Sequence, residues 1–230
     1  MTGATTETVT GVMTGRVCFI TGANTGIGKQ TAIGLAKLGA TLVLAGRSKE
    51  RTEETLAEVE SIGLVAPVFI PLNLGSMESV RAAAATFAEL GLPIDVLINN
   101  AGIAGHKGLT QDGFELTFGV NHLGHFLLTM LLAEHLAKGT EPRVVTVASR
   151  AHYGAKQGID FEAVQKRSAS STGFPEYQVS KLANVLFSAE LARRMPRWSS
   201  YSLHPGVIAS DVWRKVPWPI RSITIYEIEP

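Results

Sequence analysis

The chain has one cysteine, Cys18, among its 230 residues. A single thiol excludes an internal disulfide framework and points to a reducing compartment. Cys18 lies in the apolar run RVCFI, where an inert, buried thiol is expected. Charge of one sign is also missing. Formal net charge is +1, charged residues make up 18%, and no block of like charge occurs, which argues against a nucleic-acid footprint or a basic membrane patch. No apolar run reaches the roughly 20 residues a spanning helix needs. The best candidate, HFLLTMLLAEHLA, is interrupted by Glu134 and His135. The Thr- and Gly-rich start lacks the basic-then-apolar pattern of a signal peptide. A soluble, cytoplasmic protein with no membrane span is therefore expected, with residues 1–13 as a loosely held tail.

What is present is an alternation. Short apolar runs (RVCFIT, TLVLAG, APVFIPL, DVLINN, RVVTVAS and SSYSLHP) are separated by helical patterns at Ile27–Leu38, Lys49–Ile62, Ser76–Leu90, Val120–Lys138 and Glu176–Met195. Most of the runs lack strict alternation, as strands covered on both faces do. Gly39, Gly63, Gly91 and Gly139 stand where helix C-terminal caps belong. Repeated β-α-β units predict an α/β fold: a three-layer, Rossmann-like, doubly wound parallel sheet in a single domain over residues 1–230. Ligands of such sheets bind beyond the carboxyl ends of the strands. The longest irregular stretch, Arg150–Pro175, is a connection of the length usually reserved for function or motion.

TGANTGIG, Thr21 to Gly28, joins the first strand to the first helix. It is not a P-loop: five residues separate Gly22 from Gly28 where four are needed, and Gln30 stands where Ser or Thr belongs. Nor is it G-x-G-x-x-G. Its physics still suits a dinucleotide, because glycines allow close approach of a pyrophosphate and the helix start offers free N–H groups at the positive end of its dipole. A tight turn without a ligand is the alternative. YQVSK, Tyr177 to Lys181, sets a phenol and an ammonium one helical turn apart, either as chemistry or as decoration of a helix.

TGANTGIG, NNAG (Asn99 to Gly102), VNHLGHFLLT (Val120 to Thr129), Ser149, YQVSK and HPG (His204 to Gly206) occur in the order seen in short-chain dehydrogenases/reductases. The chain resembles that family from about residue 14 to about residue 218, and NHLGHFLLT and VPWP resemble its retinol dehydrogenase and WW-domain oxidoreductase branch. The resemblance implies a dinucleotide held by Gly22, Asn24, Thr25, Gly26, Ile27, Gly28, Asn73, Leu74, Asn100, Ala101, Gly102, Tyr177, Lys181, Pro205 and Gly206. Arg47 and Ser48 replace the acidic residue that would bind ribose hydroxyls, so NADP(H) is preferred, with NAD(H) the alternative. An Arg47 that is only a solvated surface charge is the competing reading. Asn73 stands where the family usually has Asp, and its amide oxygen would accept from the adenine amine. Asn99 is expected to bond neighbouring strands.

The resemblance also implies a catalytic set of Asn121, Ser149, Tyr177 and Lys181. Tyr177 is the acid/base, Lys181 lowers its pKa by proximity, Ser149 polarises the substrate oxygen and Asn121 supports a proton relay. Tyr153, Phe161, Phe174, Trp213 and Trp218 are expected to line a slot for a small apolar alcohol, aldehyde or ketone. His122 and His125 lack further ligands at metal-binding spacing, so no metal site is expected, and Ser168, Ser170 and Ser171 read as a flexible loop. Residues 219–230 depart from the family as an atypical, shortened C-terminus. Two functional classes follow: an oxidoreductase, in which a homodimer or homotetramer is expected, or a catalytically weak dinucleotide-binding protein acting through partners.

Overall fold

A computed structural model describes residues 11–206. Trp213, Trp218, the segment after Gly206 and the C-terminal residues 219–230 lie outside the described residues, as do the first ten residues of the expected tail. Residues 11–13 form part of a turn, and the Met13 N–H donates to Leu38 O at 2.9 Å.

Six parallel strands are β1 (Val17–Thr21), β2 (Thr41–Gly46), β3 (Val68–Pro71), β4 (Val96–Asn99), β5 (Arg143–Val147) and β6 (Ser199–Leu203). Their order is β3-β2-β1-β4-β5-β6, the doubly wound arrangement expected from the alternation of elements. The helices are α1 (Gly26–Lys37), α2 (Glu53–Ile62), α3 (Met77–Glu89), α4 (Leu116–Phe118), α5 (Gly124–Leu131), α6 (Ala133–Lys138) and α7 (Phe174–Arg194). Among the described residues, no helix is long and apolar enough to cross a membrane.

Strand periodicity explains the three layers. Successive side chains of β1 point to opposite faces, so Cys18 and Ile20 pack with Ala32, Ile33, Leu56 and Val59 of α1 and α2. Val17 and Phe19 pack on the other face with Val80, Phe87, Leu128 and Leu191 of α3, α5 and α7. Phe19 meets Phe87 edge-on, with ring centroids 5.5 Å apart. Burying one such ring contributes roughly 2–3 kcal/mol. At the amino end of the sheet, the buried Asp95 carboxylate accepts from Val17 N at 2.8 Å, Thr140 N at 2.8 Å and the Arg16 guanidinium at 3.0 Å, which ties three connections together.

Four sequence expectations change. The helix expected at Val120–Lys138 starts earlier, passes through a π-turn at Gly119–Leu123 and breaks at Leu132. Only Gly39 and Gly91 of the four expected cap glycines take the left-handed conformation, at φ +88° and +66°, whereas Gly63 and Gly139 are extended. β6 leaves Tyr201 and Leu203 exposed, unlike the doubly covered central strands. The Arg150–Pro175 connection, with its serines read as flexible, is bonded down. Ser168 Oγ donates to the buried Glu115 carboxylate and accepts from Gly108 N at 3.1 Å. Ser170 Oγ donates to Glu176 and accepts from Gly173 N at 2.9 Å.

Candidate active site

A cavity of about 640 Å³ runs along the carboxyl ends of the strands. Its floor is the turn after β1. Gly22 has φ +68°, which L side chains rarely adopt, and a Cβ there would lie 2.9 Å from Ala101 Cα. At Gly28 a Cβ would stand 2.3 Å from Gly22 O and 2.5 Å from the Asn100 amide nitrogen. The turn is fixed from behind by that amide, which donates to Thr21 O at 2.8 Å and Gly22 O at 3.1 Å. The first turn of α1 carries no acidic side chain, and Thr25 makes no side-chain cap there. Its free N–H groups and dipole end therefore face the cavity, a cradle that fits a pyrophosphate.

Of the residues expected to hold a dinucleotide, Gly22, Asn24, Thr25, Gly26, Ile27, Gly28, Arg47, Asn73, Leu74, Asn100, Ala101, Gly102, Tyr177, Lys181, Pro205 and Gly206 line this cavity. Ser48 does not: its hydroxyl donates to Glu50 at 2.6 Å and accepts from Arg51 N at 3.2 Å. Arg51, which the sequence reading missed, lines the cavity together with Arg47. The signal was a second cation four residues after Arg47, in the same connection between β2 and α2. Asn73 Oδ1 accepts from Gly75 N at 3.1 Å, so one of its lone pairs is already used within the turn. Asn99 bonds a helix rather than a strand, donating to Thr129 Oγ1 at 3.1 Å.

The opposite end of the cavity holds Ser149, Tyr177 and Lys181. Ser149 follows β5 in extended conformation, and its Oγ accepts from Ala151 N at 3.2 Å. That backbone bond leaves the serine hydrogen free to point at the Tyr177 oxygen, with which Ser149 is hydrogen-bonded. His152 braces the same residue, its Nδ1 lying 2.7 Å from Ser149 O; since a carbonyl only accepts, that nitrogen donates. Tyr177 is 3% exposed and stacks on Phe174 with centroids 6.0 Å apart. Lys181 is equally buried, donates to Val147 O at 2.7 Å and holds its ammonium 5.6 Å from the centre of the Tyr177 ring.

The electrostatics depart from the expectation that Lys181 makes the phenol acidic. Burial pushes Tyr177 up to about 12, against which the Ser149 hydrogen bond acts in the lowering direction. Burial also pushes Lys181 down to about 8. Desolvation is the largest influence on both groups.

Asn121 does not line the cavity. It stands behind Gly102 in the π-turn, fully buried, its Oδ1 accepting from Ile103 N at 2.8 Å and its Nδ2 donating to Ile103 O at 2.9 Å and Ser180 Oγ at 3.0 Å. π-turns are rare and concentrate at functional sites. His122 is half-buried and His125 buried; they are bonded to Asn184 Oδ1 at 3.3 Å and Asn121 O at 3.0 Å, and desolvation pushes both down to about 4. The expected aromatic slot is not formed by Tyr153 and Phe161, which are 72% and 71% exposed. The cavity wall instead includes Ile103, His106, Leu109, Leu116 and Val120, from the connection after β4, α4 and the π-turn, with Val120 beside the Gly75 turn.

The sequence profile of the family described as short chain dehydrogenase matches residues 16–218. Human retinol dehydrogenase 11 is 43% identical over 216 residues, 92% of this chain and 66% of its own. Mouse polyprenol dehydrogenase is 41% identical over 218 residues, 90% of this chain and 64% of its own. The chain thus spans just under two thirds of the length of the curated relatives it matches. An uncharacterised protein from Mycobacterium paratuberculosis superposes with a TM-score of 0.73 at 39% identity, covering 86% of this chain and 70% of its own. The NADP active-site complex of Pseudomonas aeruginosa RhlG gives a TM-score of 0.72 at 25% identity, covering 88% and 76%. By the profile match, the identities and the glycine-lined cavity ending at Ser149, Tyr177 and Lys181, this chain belongs to the short-chain dehydrogenase family.

Proposed function

We propose that the protein is an NADP(H)-dependent oxidoreductase that interconverts an apolar alcohol with its aldehyde or ketone. The observation that carries this reading is one cavity with two chemically distinct ends: guanidinium groups of Arg47 and Arg51 at one, and Ser149, Tyr177 and Lys181 at the other. A bound NADPH supplies the hydride. The chain's own residues handle the oxygen. Ser149 donates a hydrogen bond to the substrate carbonyl, and the Tyr177 hydroxyl, protonated at neutral pH, delivers the proton that completes the alcohol. Lys181, fixed on Val147 O, stabilises the phenolate left behind and draws in its replacement proton. Asn121 acts from behind the wall, holding Ile103 and, through the π-turn, the spacing between Gly102 and Lys181.

Arg47 and Arg51 support NADP(H) over NAD(H), because a phosphate dianion is matched by guanidinium donors. Apolar substrates are supported by the apolar cavity-lining residues Ile103, Leu109 and Leu116 and by the retinol and polyprenol in the relatives' names. A cytoplasmic location accords with the buried free thiol of Cys18. A homodimer or homotetramer accords with Phe126, Met130 and Leu186, which leave apolar area exposed on α5 and α7; sedimentation equilibrium tests it. The second reading, dinucleotide binding without turnover, draws on a phenol pushed up to about 12. Following NADPH absorbance against a panel of long-chain aldehydes, ketones and retinal separates the two. Turnover supports the enzyme; tight NADPH binding with no turnover on any member supports the second reading.

A further inference from the structure

His125 is 1% exposed, on the face of α5 turned to the sheet. Its Nδ1 lies 3.0 Å from the backbone oxygen of Asn121, and its Nε2 lies 2.8 Å from Thr21 Oγ1 at the end of β1. A carbonyl oxygen can only accept, so Nδ1 carries the hydrogen. Burial holds the imidazole neutral at physiological pH, leaving Nε2 bare. The Thr21 hydroxyl must then donate to Nε2. The competing acceptor, Ile98 O, is at 3.4 Å and loses on distance. With its hydrogen spent on His125, Thr21 Oγ1 turns its lone pairs to Asn100 N and Ala101 N, both 3.0 Å away and both donating.

The result is one directed chain of hydrogen bonds. It runs from the N–H groups of Asn100 and Ala101 through the Thr21 hydroxyl and the His125 ring to the carbonyl of Asn121. It joins three segments that enclose the cavity: the turn after β1, the turn after β4 and the π-turn behind Gly102. Each donor and acceptor has a single compatible role, so reversing one link leaves two lone pairs or two hydrogens facing each other in a buried site.

We propose that neutral His125, protonated on Nδ1, is a positioning residue that sets the dinucleotide-binding turns against the Asn121 π-turn through the hydroxyl of Thr21. Its bearing on turnover rests on the oxidoreductase reading above; the linkage itself does not. The ring touches neither end of the cavity and acts through Thr21 and Asn121.

The test uses the full chain labelled with ¹⁵N-histidine, the His125 signals being those absent from His125→Gln. In the ligand-free protein, Nδ1 is expected to be protonated and Nε2 to show the shift of an unprotonated acceptor, unchanged from pH 6 to pH 8. A hydrogen on Nε2, or titration of His125 within that range, would overturn the linkage. A second measurement is NADPH affinity by fluorescence titration. Thr21→Val, which keeps the shape and loses the hydroxyl, is expected to weaken binding by about tenfold, and Thr21→Ser to recover most of that loss. Equal affinity of the Val and Thr forms would also overturn the proposal. The tautomer is read without cofactor, so a chain that binds no NADPH would refute the oxidoreductase reading and leave this test standing.

Discussion

Lys181 Nζ donates to Val147 O at 2.7 Å while lying 5.6 Å from the centre of the Tyr177 ring. The ammonium is thus anchored to the end of β5 rather than to the phenol. Burial pushes the lysine down to about 8 and the tyrosine up to about 12. Between about pH 8 and its ordinary value near 10.5, the unfolded chain keeps the lysine proton that the folded chain has lost. The unfolded state then binds more protons, so this group makes stability rise with pH across that window. Cys18, pushed up to about 12 by burial, acts oppositely from its ordinary value of 9.0 upward. Comparing the parent with Lys181→Met cancels the cysteine. Urea midpoints at about pH 7.5 and about pH 9.5 should show the parent gaining on the variant by roughly 1–2 kcal/mol, below the range in which Tyr177 contributes.

Tyr177→Phe removes one oxygen from a ring otherwise packed on Phe174. The ring's shape and stacking are kept, so NADPH affinity should stay within about threefold of the parent. The variant has no proton to deliver, and kcat should fall by about 10²–10⁴-fold. Stopped-flow NADPH oxidation with the best aldehyde of the panel checks both values. Residual turnover near the parental rate would remove Tyr177 from the mechanism.

Arg47 and Arg51 offer two guanidinium groups to one end of the cavity, and Ser48 is engaged with Glu50. A charge-assisted hydrogen bond to phosphate contributes about 1.5–3 kcal/mol. Arg47→Ala and Arg51→Ala should each lower kcat/KM with NADPH by about tenfold or more, leave NADH nearly unchanged, and combine to a larger loss. Ser48→Ala should alter the preference little. Equal effects on both cofactors would assign the arginines to a role other than phosphate recognition.

Much of this was legible because it depends on local chain chemistry. Parallel strands read as apolar runs, and the turn after β1 needs glycine wherever a Cβ would meet Ala101 or Gly22. The residues expected to hold a dinucleotide line one cavity, apart from Ser48. What could not be read depends on contacts between distant segments. The close approach of the chain just after the π-turn to Leu74, whose carbonyl would lie 2.5 Å from a Cβ at Gly124, is one such contact. The bonds of Ser168 and Ser170 to carboxylates on α7 and ahead of α4 are invisible in a polar, serine-rich stretch. Burial, too, is a property of the assembled layers, and it reverses the expected acidity of Tyr177.

The connection after β5 is held by Ser168, which bridges Glu115 and Gly108. Glu115 is 3% exposed and also accepts from Phe118 N at 2.7 Å. Ser168→Ala leaves that buried carboxylate with one donor fewer, at a cost of about 1–3 kcal/mol. Local opening should precede global unfolding, because the neighbouring Lys166 and Arg167 are exposed. Limited trypsin digestion should therefore cut the variant between residues 166 and 168 several times faster than the parent. Unchanged cleavage with an unchanged melting temperature would show that the bridge contributes nothing.

Gly173 starts α7 in the left-handed conformation, φ +69°, and a Cβ there would stand 2.7 Å from His106 O and 3.0 Å from Gly105 C. Both obstacles are backbone, so the substitution Gly173→Ala must displace either the wall segment at residues 105–106 or the first turn of the helix that carries Tyr177. Left-handed strain adds about 1 kcal/mol and the overlap about 1–3 kcal/mol more. The displacement falls at the end of the cavity that holds Ser149 and Tyr177, away from the cradle formed by Gly22 and Gly28. NADPH affinity should therefore change by less than about threefold, while a shift of a fraction of an ångström in the reacting groups lowers kcat/KM for the carbonyl substrate by about tenfold or more. Fluorescence titration with NADPH and steady-state kinetics on one protein preparation separate the two effects. Equal losses in both would mean that the strain spreads through the sheet instead of staying at the start of α7.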